Sequence, residues 1–448
     1  MDAIAAWHAL LRPETELTPR FTSELADAMR GRKLTFGERI QCPFLRPFFL
    51  TDGEEARMRV AAESLAAFGE RVTHAALESP DLLAELGVSD AEATLVRLEP
   101  GYGRASTSSR LDAFLLPDSL HFAEYNAESP AGLGYTQRLC ELFDSLDVMS
   151  RFREGRRVRF NRTIAPLLEA LVASYREWGG SARPPLIAIV DWREVPTWTE
   201  FEILRDAFTD EGVPTIICDP RELAFASGAL TAAGRRIDLV YRRVLMNDIV
   251  ARPDECAALV SAYAAGAVCV ANTFRCKLAH KKAFFAVLTD ERHSALFSDA
   301  ERAVIRAHVP WTRVVADVET TKNGRRAGLL RLAEDDRENL VLKPNDEYGG
   351  TGVMLGWEMA PGAWQAALAS ALAAPRGHWV LQARIPVRRE VFPQFDKDGA
   401  VTMRDMLVDF APYLFRGRMS GYLTRLSATG LANVTSGGGQ VPAFVVSA

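Results

Sequence analysis

Between residues 51 and 79 the apolar positions recur at helical spacing. Met58, Val60, Ala61, Leu65 and Phe68 fall broadly on one side of TDGEEARMRVAAESLAAFGERVTHAALES, which predicts an amphipathic helix within a mainly helical first 90 residues. TFGERIQCPFLRPFFL (35–50) is apolar, aromatic and broken by proline, and reads as a packed loop or part of a lid. At residue 110 the period changes from helical to alternating. Leu111–Leu116 is strand-like, Pro117-Asp118-Ser119 is a turn, and Leu120–Asn126 alternates as a second strand. A hairpin centred on Asp118 sets Leu116 opposite Leu120 and Asp112 opposite Glu124, with Glu124 and Asn126 on one face.

Residues 140–183 read as helical and basic. A β-α-β unit follows: a buried strand at 184–192, a helix at 200–211 opened by a Thr199/Glu202 capping box and closed by Gly212, and a strand at 213–219. Residues 237–245 continue this sheet, which the pattern predicts to be parallel, with its strand ends facing a ligand crevice. Asp191, Arg193 and Arg242 lie at or near those ends. With CVANTFRCKLAHKKAFFAVL (269–288) the pattern changes to a helix carrying Lys277, Lys281 and Lys282. Residues 318–340 are polar and read as a variable loop. VLKPNDEYGGTGVMLGW (341–357) reads as strand, glycine loop and strand, followed by a helix at 363–372 and a strand at 377–387. Residues 404–427 form a hairpin turning at Arg416-Gly417, and NVTSGGGQ (433–440) is a second glycine segment.

Composition narrows the classes. The chain has 448 residues, enough for two to four packed units, with 48% hydrophobic and 25% charged residues. A formal charge of −5 gives no overall basic field for nucleic acid or anionic lipid. The first residues lack the pattern of a signal peptide, and no apolar run reaches the roughly 20 residues of a membrane helix. Six scattered cysteines without a CxxC pair read as reduced thiols of a cytoplasmic protein, and seven scattered histidines do not suggest zinc.

Two stretches carry candidate chemistry. In the glycine loop, Gly349 and Gly350 permit close approach of backbone N–H groups to a ligand, Lys343 is placed to meet a phosphate, and Glu347 to hold a cation shared with it. In the first hairpin, Asp112, Glu124 and Asn126 converge as oxygen donors. Facing carboxylates repel unless a hard cation such as Mg²⁺ lies between them; the other reading is a solvated polar face. Arg110 beside them suits bidentate binding of a substrate carboxylate.

Together the motifs LKPNDEYGGTG, RLDAFL and EYNAESPAG resemble those of a circularly permuted ATP-grasp ligase, similar to eukaryotic-type glutathione synthetase and, more loosely, to glutathionylspermidine synthase. The metal-type motif precedes the glycine loops, which is the permuted order. The resemblance covers most of residues 105–448 and implies an α/β fold with α+β elements, in which the ATP-grasp core is joined to a Rossmann-like pre-ATP-grasp substrate domain. The implied units are 1–180 (helical region plus metal-binding hairpin), 181–275 (substrate domain), 276–385 (nucleotide-binding subdomain) and 386–448 (core and glycine-rich lid). It implies ATP and Mg²⁺, two ions by expectation, with Asp112, Glu124, Asn126 and Glu347 as metal ligands. Lys343 and Lys282 (or Lys281) take the nucleotide phosphates, with Gly349 and Gly350. Gln382, Ala383 and Arg384 form the adenine hinge. Arg110, Ser129 and Arg404 fall on the substrate side, Arg425 beside the transferring group, and Gly437, Gly438 and Gly439 in a closing loop. The implied reaction joins an acid to an amine through an acyl phosphate, with small-molecule partners and a homodimer as the implied assembly. The loop has fewer glycines than that of glutathione synthetase, its specific peptide-binding residues have no clear counterpart, and there is no amidase domain, so the substrates stay open. So do two other classes: a nucleotide-binding sensor and a phosphotransferase.

Overall fold

The computed structural model describes residues 2–37, 39–428 and 438–447. Of the second glycine segment, Gly437 lies outside the described residues, while Gly438 and Gly439 lie within them.

The largest sheet is antiparallel. Its strands run in the order Gly439–Val441, Arg418–Ser427, Val401–Phe415, Ser108–Leu115, Leu120–Asn126. Arg388–Phe395 pairs with the first half of Val401–Phe415. Asp112 stands opposite Glu124 and Arg110 opposite Asn126 as expected, but Leu120 faces Leu115 rather than Leu116, and a bulge between Asp112 and Ala113 restores the register of the charged pairs. Asp409 stands opposite Arg425, and Tyr413 opposite Arg110. Because side chains alternate along each strand, Arg110, Asp112, Glu124, Asn126, Asp409 and Arg425 share one face. The other face is apolar: Leu111, Phe410, Tyr422 and Leu426 are buried there. Helix Asp52–Leu77 crosses this back face, where Tyr422 donates to Glu55 at 2.8 Å and Glu63 accepts from the Met419 amide at 3.1 Å. Thr51 and Glu54 cap that helix reciprocally. The sheet thus presents a charged face on an apolar floor.

A smaller antiparallel sheet has the order Thr312–Val314, Trp379–Ala383, Leu340–Pro344, Met354–Leu355. Its separate core gathers Leu329, Leu332, Trp364, Leu368 and Leu381. The glycine loop joins its last two strands.

A third sheet is parallel, ordered Cys269–Ala271, Leu239–Arg242, Ile187–Val190, Thr215–Cys218. Helix Trp198–Asp210 connects its last two members. The Ile187–Val190 and Leu239–Arg242 strands are buried throughout, the first as a continuous apolar run of the kind a parallel sheet favours and the second ending in the ion-paired Arg242.

Several local expectations need correction. Helix Trp198–Asp210 starts earlier than its supposed cap, and Thr197 at the N-cap makes no side-chain cap bond. Thr199 instead meets the Tyr135 hydroxyl at 2.6 Å, so a tertiary contact has taken its side chain. The 318–340 stretch is not a loop: Glu319–Lys322 and Arg325–Gly328 pair as a hairpin, and Leu329–Asp335 is a helix. Residues 140–183 are interrupted by the strand Arg157–Arg159. The 35–50 stretch ends in Phe48–Thr51, which pairs in parallel with Ala443–Ser447.

Candidate functional site

Two cavities lie against the charged face of the large sheet. The narrower, of about 290 Å³, runs under the glycine loop and between the two antiparallel sheets; Lys282, Lys343, Glu347, Gly350, Gln382 and Arg384 are among its lining residues. The wider, of about 420 Å³, opens toward the parallel sheet; Arg110, Asn126, Ser129, Asp191, Arg243 and Asp248 are among its lining residues. Glu124, Gly349 and Arg425 line both. The cavities therefore meet at a seam of one carboxylate, one guanidinium and one glycine backbone.

Lys343 is the penultimate residue of the Leu340–Pro344 strand. Its ammonium donates to Gln382 Oε1 at 2.6 Å and to the Ala123 carbonyl at 3.4 Å, both neutral acceptors. Burial lowers its pKa to about 8; Glu124 opposes the shift and Lys282 adds to it. A cation held so weakly gains strongly from a phosphate. Lys282 pairs with Glu124 at 3.4 Å and donates to the Glu347 carbonyl at 2.5 Å, tying the loop to the sheet. Of the two lysines, Lys282 faces the cavity. Lys281 is 4% exposed and pairs with Glu92 at 2.9 Å and Asp346 at 3.0 Å.

An alternating row, Arg110–Asp112–Arg425–Asp409, crosses the face. Arg110 Nε donates to Asp112 at 2.7 Å, Arg425 Nη2 donates to Asp112 at 2.5 Å, and Arg425 Nε donates to Asp409 at 2.5 Å. Burial would raise the Asp112 carboxyl, but Arg110 and Arg425 outweigh it and hold it below the ordinary range. Burial pushes Asp409 up to about 6 against the pull of Arg425. Asp112 is thus engaged by two arginines rather than free for a cation.

This bears on the fit of Mg²⁺. Among the described residues, no three His, Cys, Asp or Glu side chains gather into a cage for a metal ion. Glu124 and Asn126 lie side by side, with Asn126 Nδ2 donating to Glu124 at 3.0 Å, and the exposed Glu347 lines the narrow cavity. Mg²⁺ needs only one or two protein carboxylates when phosphate and water complete its shell. The donor set fits an ion carried in on phosphates and does not fit an all-protein site.

Other expected residues fall as follows. The amides of Ala383 and Arg384 already donate to the carbonyls of Trp311 and Asn339, each at 2.8 Å, so these two offer no free N–H to a base. Arg384 lies over the Trp357 ring at 4.1 Å, at the apolar end of the narrow cavity. Ser129 donates to the Arg243 carbonyl at 2.8 Å. Arg404 is exposed and lines neither cavity. Gly438 accepts from Arg39 at 3.4 Å, and Gly439 sits in the edge strand. Of the strand-end residues, Asp191 lines the wide cavity; Arg193 is exposed and bonded to Glu222; Arg242 is buried against Glu128 at 2.9 Å.

The sequence did not point to Asp409, Arg243 or the buried network under the loop. Glu128 pairs with Arg242 and with Lys277 at 3.3 Å, and Lys277 reaches Asp346 at 2.7 Å. Asn345 beside it accepts from Ala283 N at 2.7 Å and donates to the carbonyls of Leu86 and Gly377. Glu128 lies inside the EYNAESPAG motif and Asn345 follows LKP, so proximity to motifs was the one available signal.

No protein-family model matches the chain, and no curated protein sequence matches it. Solved structures do. A glutathione synthetase-like effector, GSS30 from Globodera pallida, aligns over 95% of this chain and 96% of its own, with a TM-score of 0.58 and 13% identity. At that identity the likeness establishes a shared fold. A Methylobacillus flagellatus KT chain to which gamma-glutamylcysteine synthetase activity is ascribed aligns over 79% of this chain and 84% of its own at 12% identity, and D-alanyl-alanine synthetase A from Vibrio cholerae O1 biovar eltor str. N16961 over 51% and 68% at 11%. Their TM-scores, 0.40 and 0.26, are too low to carry an argument. The resemblance read from the motifs thus holds at the level of the fold.

Proposed function

We propose that this chain is an ATP-dependent carboxylate–amine ligase. ATP would occupy the narrow cavity and an acid the wide one, with the γ-phosphoryl group and the carboxylate meeting at the seam of Glu124, Gly349 and Arg425. That junction is the observation that carries the reading, since in-line transfer needs both reactants against one set of charges. The fold shared with a glutathione synthetase-like protein supports it. The order of motifs along the chain fits a permuted ATP-grasp core, with 181–275 as the substrate-side unit.

Lys343 and Lys282 would hold the phosphates. Trading neutral acceptors for phosphate oxygens stabilises the charged form of Lys343. Glu124, Asn126 and Glu347 would hold Mg²⁺, which supplies charge neutralisation between the phosphates. Arg425, backed by Asp112 and Asp409, is held rigidly where charge develops on the transferring group. The carboxylate attacks the γ-phosphorus, ADP leaves, and an acyl phosphate remains. The amine then attacks the acyl carbon, releasing phosphate and forming the amide. Arg110 and Arg243 line the wide cavity and suit the acid's remaining carboxylate groups.

The test is ADP and phosphate release across a panel of paired acids and amines. The reading requires release that depends on both members of a pair. ADP release with an acid alone and no amide product would replace it with a phosphotransferase. Nucleotide binding without turnover for any pair would replace it with a sensor.

A further inference from the structure

The tip of the glycine loop separates the two cavities, and its residues face opposite ways. Glu347, Gly350 and Thr351 line the narrow cavity, Tyr348 lines the wide one, and Gly349 lines both. Tyr348 is unusual for its type. It is 62% exposed, while the other eight tyrosines, all among the described residues, are at most 5% exposed. An aromatic ring in water at the rim of a cavity gains by covering whatever fills that cavity.

The loop is anchored at its root and rich in glycine at its tip. Asn345 is fixed by the contacts described above and by its own amide, which donates to the His378 carbonyl at 2.8 Å. Asp346 is held by Lys277 and Lys281. Beyond them, Gly349, Gly350 and Gly352 take φ of 66°, 78° and 70°, a region glycine occupies freely and most residues do not. The bond from Lys282 to the Glu347 carbonyl engages the same lysine that lines the nucleotide cavity. Anything that binds Lys282 therefore acts on the tip.

The side of the wide cavity next to the loop root has a definite chemistry. Asn247 donates to the Asp346 carbonyl at 3.5 Å, setting the first turn of helix Met246–Ala251 beside the root. That places Leu245 and Asp248, both lining the wide cavity, on the loop's side of it. Asp248 has no ion pair among the described residues. Of the guanidinium groups on the same cavity, Arg110 and Arg425 are neutralised by Asp112 and Asp409, and Arg243 interacts with Asp191, another carboxylate of that cavity. An aromatic ring and an unpaired carboxylate together recognise a cation.

We propose that Tyr348 is a substrate-reading residue. Nucleotide phosphates draw the tip inward, and the Tyr348 ring is laid across the wide cavity to enclose, with Asp248, an ammonium-bearing group of the substrate. The inference rests on the nucleotide reading above and adds to it a specificity residue, a subsite charge and a coupling between the two cavities.

Nitration of the wild-type protein by tetranitromethane, followed at Tyr348 by peptide mass spectrometry, tests it without a known substrate. Calorimetry with Mg·AMP-PNP runs in parallel to establish occupancy. The expected result is that saturating Mg·AMP-PNP slows nitration of Tyr348 about tenfold, as for a tip shifted mostly to a closed state. L-alanine should then slow it further, whereas propionate, which lacks only the ammonium group, should not; Asp248→Asn should abolish the L-alanine effect. Nucleotide binding with an unchanged nitration rate would overturn the closure. Equal effects of L-alanine and propionate, or none from either, would overturn the ammonium subsite. Absence of calorimetric binding would instead sink the nucleotide reading itself.

Discussion

Raising the pH from 7 to 9 should weaken nucleotide binding through one side chain. Lys343 faces Gln382 Oε1 and the Ala123 carbonyl, with Glu124, Asp112 and Lys282 as the charged groups nearby. Before nucleotide binds, burial holds its pKa at about 8, below the 10.5 of a lysine in water. With that value roughly nine-tenths of the protein carries a charged Lys343 at pH 7 and one-tenth at pH 9, so an affinity that needs the charge falls about tenfold across the window. The sign for stability is the opposite. Between pH 8 and 10.5 the unfolded chain binds the proton more tightly than the folded one, so the contribution of this residue to stability rises with pH there. The assay is titration with a fluorescent ATP analogue at fixed Mg²⁺ and ionic strength. Lys343→Arg is the control, since a guanidinium keeps its charge throughout. A wild-type affinity that is flat from pH 7 to 9, or an arginine variant that falls in parallel, would refute the argument.

Other substitutions separate roles the sequence grouped together. Asp112→Asn should lower turnover by unseating Arg425 while leaving the Mg²⁺ dependence in place, and Glu124→Gln should raise the Mg²⁺ concentration needed for half-maximal rate; a magnesium titration of both variants shows whether the two carboxylates differ in this way. Glu128→Gln leaves Arg242 and Lys277 buried beside a neutral partner and should cost about 3–5 kcal/mol in denaturant unfolding; a loss below 1 kcal/mol would remove the network as a structural clamp. Asn345→Ala deletes three side-chain hydrogen bonds at the loop root and, at about 1 kcal/mol for each bond with the penalty of orphaned partners added, should destabilise measurably and increase amide exchange across 345–352; unchanged exchange there would mean that other contacts hold the root.

The charged face of the large sheet was legible in the sequence because the β period forces it. Once Pro117-Asp118-Ser119 is read as a turn, a regular hairpin sets Leu116 opposite Leu120 and Asp112 opposite Glu124; the observed strands pair Leu115 with Leu120, and a bulge between Asp112 and Ala113 brings Asp112 back opposite Glu124. Asp409 lies in a strand that sequence reading also found, yet its pairing with Arg425 depends on the register of the 401–427 hairpin. Glu128, Arg242 and Lys277 could not be joined from sequence, because the partners are more than 100 residues apart and buried charges obey no local spacing. The missed hairpin at 319–328 did leave a signal. Its turn holds Asn323 and Gly324 at φ of 52° and 77°, the Asn-Gly pair that a tight hairpin favours, but its strands are polar on both sides and hide the alternation. The Thr199 cap failed for the reverse reason. The local pattern was correct for a cap, but Thr199 meets the Tyr135 hydroxyl and Glu202 accepts from Lys33 at 2.6 Å, so both side chains of the box are put to another use.

The central claim is that the narrow cavity binds Mg·ATP through Lys343. Isothermal calorimetry with Mg·AMP-PNP, on the wild type and on Lys343→Ala at pH 7, addresses it directly. The account predicts one site in the wild type and an affinity lower by about a hundredfold in the variant, the scale of one lost charge-assisted contact of about 3 kcal/mol. No binding heat in the wild type, or equal affinity in the two proteins, would contradict it.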